Sequence, residues 1–114
     1  GVNNTGIGAY SLLNNTYGSY NVATGSFALN KNNTGGKNMA IGFNSLFNNL
    51  TGSQNVAIGH EAVYTNSAGN NNTAIGHQSL YTNNGNDNIA IGNYAMRLTK
   101  NVSNTVAIGS GALY

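Results

Sequence analysis

Short apolar triplets recur along the chain at a nearly constant interval, and a glycine closes each of them. Residues 38–42 read Asn-Met-Ala-Ile-Gly, and residues 55–59 read Asn-Val-Ala-Ile-Gly. The closing glycines of the seven copies are 17 residues apart, with one interval of 16, and are Gly8, Gly25, Gly42, Gly59, Gly76, Gly92 and Gly109. A fixed short period is the signature of a repeat protein whose units stack on one another.

A second apolar pattern follows each closing glycine. A small residue stands three positions after the glycine and an aliphatic residue comes next, as in Ser45-Leu46. Segments this short have the length of strands, so each repeat is predicted to carry one strand around Ala-Ile and one around Ser/Ala-Leu. Asn-rich turns separate them, and most contain a further glycine: Gly18, Gly35, Gly52, Gly69 and Gly85. Helical repeats need more than about 30 residues, so this period excludes them.

These features predict an all-β fold, a parallel β-solenoid or β-roll of about seven 17-residue coils, with residues 1–114 forming a single repeat array. Strands stacked about 4.8 Å apart give a rod roughly 30–35 Å long. The chain starts and stops within the pattern. We therefore expect it to be a segment of a longer fibre, with any anchor or export signal elsewhere.

Side-chain alternation within the first strand gives it two apolar faces. The Ala of each motif points one way, and its neighbours, such as Val56 and Ile58, point the other way. A thin roll has only one interior, so the second face is expected to pack against other chains. Three chains about one axis is the simplest closed arrangement for a fibre. The expected partner is therefore the chain itself, as a homotrimer continued end to end.

Composition narrows the functional classes. The chain has 24 Asn and 16 Gly but no Cys, Pro or Trp, and only 5% of its residues are charged. Its net charge of +2 comes from scattered residues, which argues against nucleic acid as a partner. No apolar run is long enough to insert directly into a membrane. We expect no cofactor.

Candidate chemistry is sparse. The only carboxylates, Glu61 and Asp87, occupy different coils and different repeat positions, so no acid–base pair is evident and an enzyme is not expected. His60 and His77 both follow a closing glycine and should stack in adjacent coils, which makes them weak metal-ligand candidates. A variable exposed position beside a turn is the favoured interpretation. The Asn column at residues 38, 55, 72 and 88 is interpreted as a structural hydrogen-bonded ladder.

Other positions are candidates for contacts and modification. Phe47, Tyr64, Tyr81 and Tyr114 recur beside the aliphatic column, where packing is favoured over a binding stripe. Variable turn residues are better candidates for contacts outside the fibre: Tyr17, Tyr20, Lys31, Lys37, Asn86 and Asp87. Asn-x-Ser/Thr sequons offer possible glycosylation sites at Asn3, Asn14, Asn32, Asn49, Asn71 and Asn101.

The Asn-x-Ala-Ile-Gly motif, with a small residue three places later, resembles the YadA-like head repeats of trimeric autotransporter adhesins. The resemblance covers all seven copies. It implies a left-handed parallel β-roll, three chains wound into one fibre, and a trimeric adhesive rod at the cell surface. The turns are longer than in the common family coil, and long arrays of this variant resemble repeats in bacterial and phage tail-fibre-type proteins.

The expected function is therefore that of a structural and adhesive extracellular fibre, a head or stalk on a cell or virion surface. It would attach to a host surface protein or glycan through many weak contacts. A viral or phage tail-fibre shaft that only spaces a distal tip is the main alternative. An ice-binding solenoid is a weaker one, because the Thr column at residues 16, 34 and 51 is lost at Ala68 and Asn84.

Overall fold

The computed structural model describes residues 1–114 as a rod of stacked coils with no helix, and so none long and apolar enough to cross a membrane. Each of the seven strands has three residues: β1 Thr5–Ile7, β2 Val22–Thr24, β3 Met39–Ile41, β4 Val56–Ile58, β5 Thr73–Ile75, β6 Ile89–Ile91 and β7 Val106–Ile108. They form one parallel sheet in the order β1 to β7. The predicted β-solenoid is confirmed.

Register follows the sequence motif coil by coil. Ala40 pairs with Ala57, and Ala57 pairs with Ala74, so each motif lies directly over the next. The rod is 35 Å long and 22 by 16 Å across, which agrees with the length predicted from the strand spacing. The coil that lacks one residue keeps its strand in register, because the missing residue falls in a turn and not in a strand.

The second predicted strand of each coil is absent. Phe27 and Leu29 have left-handed backbone angles, with φ of 60° and 50°, and the same alternation recurs in the other coils. This segment still bonds to its neighbours, since Leu29 N–H donates to the Ser45 carbonyl and Leu46 N–H to the Ala62 carbonyl. The chain must turn sharply around a narrow interior. Left-handed residues supply the turn while the hydrogen bonds between coils are kept.

The core is a thin column of small and aliphatic side chains. The strand alanines, such as Ala57 and Ala74, are fully buried against the aliphatic column that includes Leu46, Val63 and Leu80. Every strand from β2 to β7 carries an alanine at this central, buried position. The closing glycines are required because the next coil approaches closely. Gly59 has φ of 139°, and a Cβ there would lie 2.5 Å from the Gly76 carbonyl oxygen.

Buried asparagines line the turn end of the core in a ladder. The backbone N–H of Asn38 donates to Oδ1 of Asn21 (2.9 Å), and Asn38 Nδ2 donates to the Gly52 carbonyl (2.9 Å). Asn55 repeats both bonds one coil further on. The structural role predicted for this Asn column is confirmed, because side-chain amides replace the hydrogen bonds that water would otherwise make to these buried groups.

A second buried Asn column was not anticipated. Nδ2 of Asn32 donates to Oδ1 of Asn15 (2.6 Å), Asn49 donates to Asn32 (2.7 Å), and Asn66 donates to Asn49 (2.9 Å). The column stops at the shortened turn, where Asn83 Nδ2 bonds to the Val102 carbonyl instead. Oδ1 of Asn66 is consequently left buried without a hydrogen-bond partner.

Candidate functional site

The outer face of the sheet is an apolar strip with no charged residue. Two columns point outward on either side of the buried alanines. The first contains Thr5, Val22, Met39, Val56, Thr73, Ile89 and Val106, and the second Ile7, Thr24, Ile41, Ile58, Ile75, Ile91 and Ile108. The side chains of Met39, Ile75 and Ile89 are each more than a third exposed. The single chain therefore leaves this strip in contact with solvent along the length of the rod.

Aromatic rings form two rows on the side of the coil that follows the closing glycine. Phe43, His60, His77 and Tyr94 make the first row, with successive ring centroids 5.1–5.2 Å apart. Phe47, Tyr64 and Tyr81 make the second row, with centroids 5.1–5.3 Å apart and nearly parallel planes. The coil spacing of about 4.8 Å sets these distances. The favoured packing interpretation is confirmed for Phe47, Tyr64 and Tyr81. Tyr114, the fourth residue of that prediction, is 57% exposed and is not stacked in this row.

Cations cover the ends of the second row. Lys31 Nζ lies 5.1 Å from the Phe47 ring centre, and Arg97 lies over Tyr81 at 5.6 Å. The guanidinium of Arg97 also lies 5.7 Å from the ring of Tyr114. Most ring faces in this row therefore meet another ring or a cation. A ligand that needs an open ring face to stack on, such as a sugar, finds little of one here.

A polar chain runs beside the rings. Gln78 Nε2 donates to a Glu61 carboxylate oxygen (2.6 Å), and Arg97 Nε donates to Gln78 Oε1 (2.7 Å). Burial, followed by the nearby Glu61 carboxylate, raises the pKa of the Tyr81 phenol above its ordinary value of 10.0. Both effects disfavour the phenolate anion.

The two histidines lie one above the other in adjacent coils as predicted, with ring centroids 5.1 Å apart and ring planes tilted by 35°. Nδ1 of His60 lies 3.7 Å from Glu61 Oε2. No group of three or more His, Cys, Asp or Glu side chains is placed to hold a metal ion. His60 and His77 are members of the first aromatic row, between Phe43 and Tyr94. A metal role for them in an assembly of several chains stays a prediction.

Three of the predicted contact residues come together in one open groove. Tyr17 and Tyr20 belong to the turn that precedes β2, and Lys37 belongs to the turn that precedes β3; together they line a groove of about 360 Å³. Its other lining residues are Ser19, Thr34, Gly36, Ser53 and Gln54. We call this the turn groove. Tyr17 is 72% exposed and Tyr20 is 58% exposed, and neither ring stacks on another.

The remaining contact candidates lie elsewhere. Lys31 covers Phe47 at the end of the second aromatic row. Asn86 accepts a hydrogen bond from the backbone of Asn70, and Asp87 accepts one from Asn71, so both hold neighbouring turns together. A second groove of about 290 Å³ is lined by Thr65, Thr82, Asn84, Lys100 and Asn101 and contains no aromatic side chain.

Two of the predicted glycosylation sites are wrong. Asn32 and Asn49 are fully buried members of the second Asn column, where each side-chain amide makes two hydrogen bonds. A glycan on either would have to occupy the interior of the coil. Asn3, Asn14, Asn71 and Asn101 are exposed, and glycosylation there stays a prediction.

Sequence reasoning missed how Gly36 shapes the turn groove. The position after the second glycine of the turn is Ser or Asn in the other coils, as in Ser19, Ser53 and Asn70. Gly36 interrupts that column, and its φ is not left-handed, so the backbone does not require glycine there. The interruption was visible in the sequence, but its consequence depends on the neighbouring turns.

A comparison with known proteins finds no matching protein family, no matching curated protein and no matching solved structure.

Proposed function

We propose that the chain is a segment of a trimeric, extracellular adhesive fibre that attaches to surfaces through many copies of the same weak contact. The observation that carries this proposal is the uncharged apolar strip on the outer face of the sheet. An apolar surface that runs continuously along a protein is normally covered by another molecule, since its burial is favourable by about 25 cal/mol per Å².

The period of the strip favours a second copy of the chain as the partner. A partner must present uncharged side chains at a spacing of about 4.8 Å along the 35 Å of the rod. The strip of another copy meets this requirement without any change of period. The two outward columns lie on opposite sides of the alanine column. Each can therefore face a different neighbour, which favours three chains around one axis.

The area of the apolar strip limits the affinity between the chains of such an assembly. Three residues at about 3.3 Å each make the strip about 10 Å wide, so it offers on the order of 350 Å² per chain. Stable interfaces bury about 800 Å² per partner, so residues flanking the strip must also contribute contact. We expect association of this segment to depend on protein concentration.

The mass of the segment in solution tests this assembly. Sedimentation equilibrium over increasing concentration should approach three times 11.8 kDa. At a concentration of about 1 mM, a free energy of association of about 4 kcal/mol would be detectable. A segment that is still monomeric at this concentration contradicts the proposal. A dimer would retain the covered strip but overturn the three-fold arrangement.

A pair of lysine variants locates the interface. Ile75 lies in the strip and is 38% exposed in the single chain, whereas Leu98 is 52% exposed but lies in a turn outside the strip. We expect Ile75→Lys to give a folded monomer, because the ammonium group would be buried against another chain. Leu98→Lys is the matched control and should keep the parent mass. Equal masses for the two variants would place the interface elsewhere.

Adhesion is favoured over a spacer role by the turn groove. A shaft that only separates other domains has no need of two exposed, unstacked tyrosines beside an unpaired lysine. In a trimer the groove would occur three times around the fibre. Linked copies raise the effective concentration of the second and third contacts, so weak individual binding gives firm attachment.

A further inference from the structure

We propose that the turn groove is a binding site for a carboxylated sugar, such as a sialic or uronic acid. This proposal adds a ligand class to the proposed adhesive function, and it rests on that function. The groove spans three adjacent turns, which contribute Tyr20, Lys37 and Gln54 at equivalent positions.

A column of hydrogen bonds between turns is broken at the floor of the groove. In this column a backbone N–H donates to the side-chain oxygen of the equivalent residue in the following coil. Gly36 N–H donates to Ser53 Oγ (3.1 Å), Ser53 N–H to Asn70 Oδ1 (2.8 Å), and Asn70 N–H to Asn86 Oδ1 (2.8 Å). The N–H of Val2 donates to Ser19 Oγ in the same way.

Ser19 is the exception among the positions that have a coil on either side. Its acceptor would be the side chain of residue 36, which is glycine, and its N–H has no acceptor within the chain. A Cβ at Gly36 would lie 3.7 Å from the Ser19 nitrogen. The missing side chain therefore leaves an open space beside a backbone donor, and both belong to the turn groove.

Charge and shape then define the ligand. Lys37 makes no ion pair, and neither carboxylate of the chain lines the groove. An acceptor oxygen near the Ser19 N–H and the Lys37 ammonium is favoured most strongly when it carries negative charge. Tyr17 and Tyr20 offer unstacked ring faces to the apolar face of a sugar ring. The hydroxyls of Thr34 and Ser53 and the amide of Gln54 can bond to sugar hydroxyls.

A carboxylated sugar uses all of these groups, whereas an acidic peptide uses only the charge and the amide donor. A neutral sugar leaves the lysine and the Ser19 N–H without a charged partner. The combination of one cation, one free N–H, two ring faces and several hydroxyls therefore favours the acidic sugar.

Titration followed by nuclear magnetic resonance tests the proposal on the 114-residue chain. The probes are N-acetylneuraminic acid and glucuronic acid, with glucose and a glutamate-containing tripeptide as controls. We expect both acidic sugars to bind and to shift the Ser19 amide proton downfield. Binding of glucose or the tripeptide with equal affinity would overturn the proposal, as would the absence of any shift at Ser19.

Lys37 can be replaced by a residue that the chain already carries at the equivalent position of another coil. Lys37→Asn removes the charge, and Asn suits the left-handed φ of 59° at this position, as Asn71 shows at 58°. It should lower affinity roughly tenfold or more, the effect of losing a charge-assisted hydrogen bond. Lys100→Gln removes a matched charge from the second groove and should bind as the parent does. Equal losses in the two variants would indicate non-specific attraction and overturn the proposal.

Gly36→Ser supplies the missing column residue. Its hydroxyl should accept the Ser19 N–H and fill the floor of the groove. Affinity should then fall at least tenfold while the melting temperature is kept, and unchanged affinity would contradict the proposal. A Cβ at this position lies 3.0 Å from the Ser19 carbonyl oxygen, so the turn must shift slightly. If this variant fails to fold, Lys37→Asn still decides the outcome.

The oligomeric mass of the same samples separates the two proposals. A trimer that binds neither acidic sugar overturns the sugar site and leaves the fibre proposal intact. A monomer that binds them supports the sugar site and contradicts the trimeric assembly.

Discussion

Leucine rarely adopts left-handed backbone angles, yet the aliphatic column of this rod does so in every coil. There are 21 non-glycine residues with positive φ, and they include Leu29, Leu46, Leu80 and Val63. Each such residue costs about 1–2 kcal/mol relative to a right-handed conformation. Full burial of these side chains offsets that cost, at about 1.5–3 kcal/mol each. At these positions the free energy gained by burying the side chain therefore outweighs the cost of the left-handed backbone.

Val63 is the weakest member of this column. It is the only β-branched residue there, and its φ of 52° is especially unfavourable for a branched Cβ. Leu46 and Leu80, on either side, show that the interior accommodates leucine. We expect Val63→Leu to raise the free energy of unfolding by about 1 kcal/mol, through relief of strain and one more buried methylene.

Chemical denaturation measures this change. The reverse substitution in the next coil, Leu80→Val, is the matched control and should lower the free energy of unfolding by about 1–2 kcal/mol. Destabilisation by Val63→Leu would mean that the core has closed around the smaller side chain.

At the scale of the element, the coil is defined by its two Asn columns. The first holds the turn to the start of the strand, and the second holds the turn together internally. A one-residue deletion interrupts the second column, because it moves Asn83 away from Asn66 and leaves Asn66 Oδ1 without a partner. The cost of such a buried polar atom is about 1–3 kcal/mol.

Restoring the missing residue should repair the column. Insertion of Ala between Asn84 and Gly85 gives this turn the length of its neighbours, so Asn83 can donate to Asn66. We expect the free energy of unfolding to rise by about 1–2 kcal/mol, as measured by denaturation. The same insertion between Thr51 and Gly52, where the turn already has its full length, should lower the free energy of unfolding. If both insertions destabilise, the shortened turn is already at its preferred length.

Some parts of the coil could be predicted from the sequence and others could not, because only some residues have a pattern with a single structural meaning. The motif around Ala57 predicted strand, register and burial, because a strict apolar alternation has one geometric solution. The segment at Ser45-Leu46 was predicted as strand and is a turn. Apolar spacing reports burial and says nothing about the sign of φ. The second Asn column was present as Asn three places before the turn glycine, in a chain so rich in Asn that the pattern did not stand out.

The candidate site was predicted residue by residue but not as a group. Tyr17, Tyr20 and Lys37 were selected as variable turn residues, and the structure brings them together. Lys31 was selected on the same grounds and lies over Phe47 instead. Which turn residues meet depends on the path of each turn between coils. That path is set by left-handed residues that the sequence does not reveal.

At the scale of the whole molecule, contacts run only between neighbouring coils. Each strand touches the one before it and the one after it, as expected for a solenoid whose stability is a sum over repeats and their interfaces. Every coil should therefore be dispensable as a unit, provided that register is kept.

Deletion of a coil tests this additivity. Removal of residues 43–59 takes out one complete repeat and joins Gly42 to His60. We expect the shortened chain to fold, with the free energy of unfolding lower by about 1–3 kcal/mol. Removal of residues 43–50 alone shifts all later columns out of register and should prevent folding of the coils that follow. Circular dichroism with thermal unfolding distinguishes the two outcomes, and equal loss of structure in both would contradict a modular array.

The two buried Asn columns also give the rod a sense of direction. In both, the coil that comes later in the chain donates and the earlier coil accepts, as with Asn38 to Asn21 and Asn32 to Asn15. The strands are also all parallel, so the free edge of β1 closes one end of the stack and the free edge of β7 closes the other. Parallel pairing in the same register continues from rod to rod only where β7 of one rod meets β1 of the next. A filament that keeps this register is therefore a one-way structure.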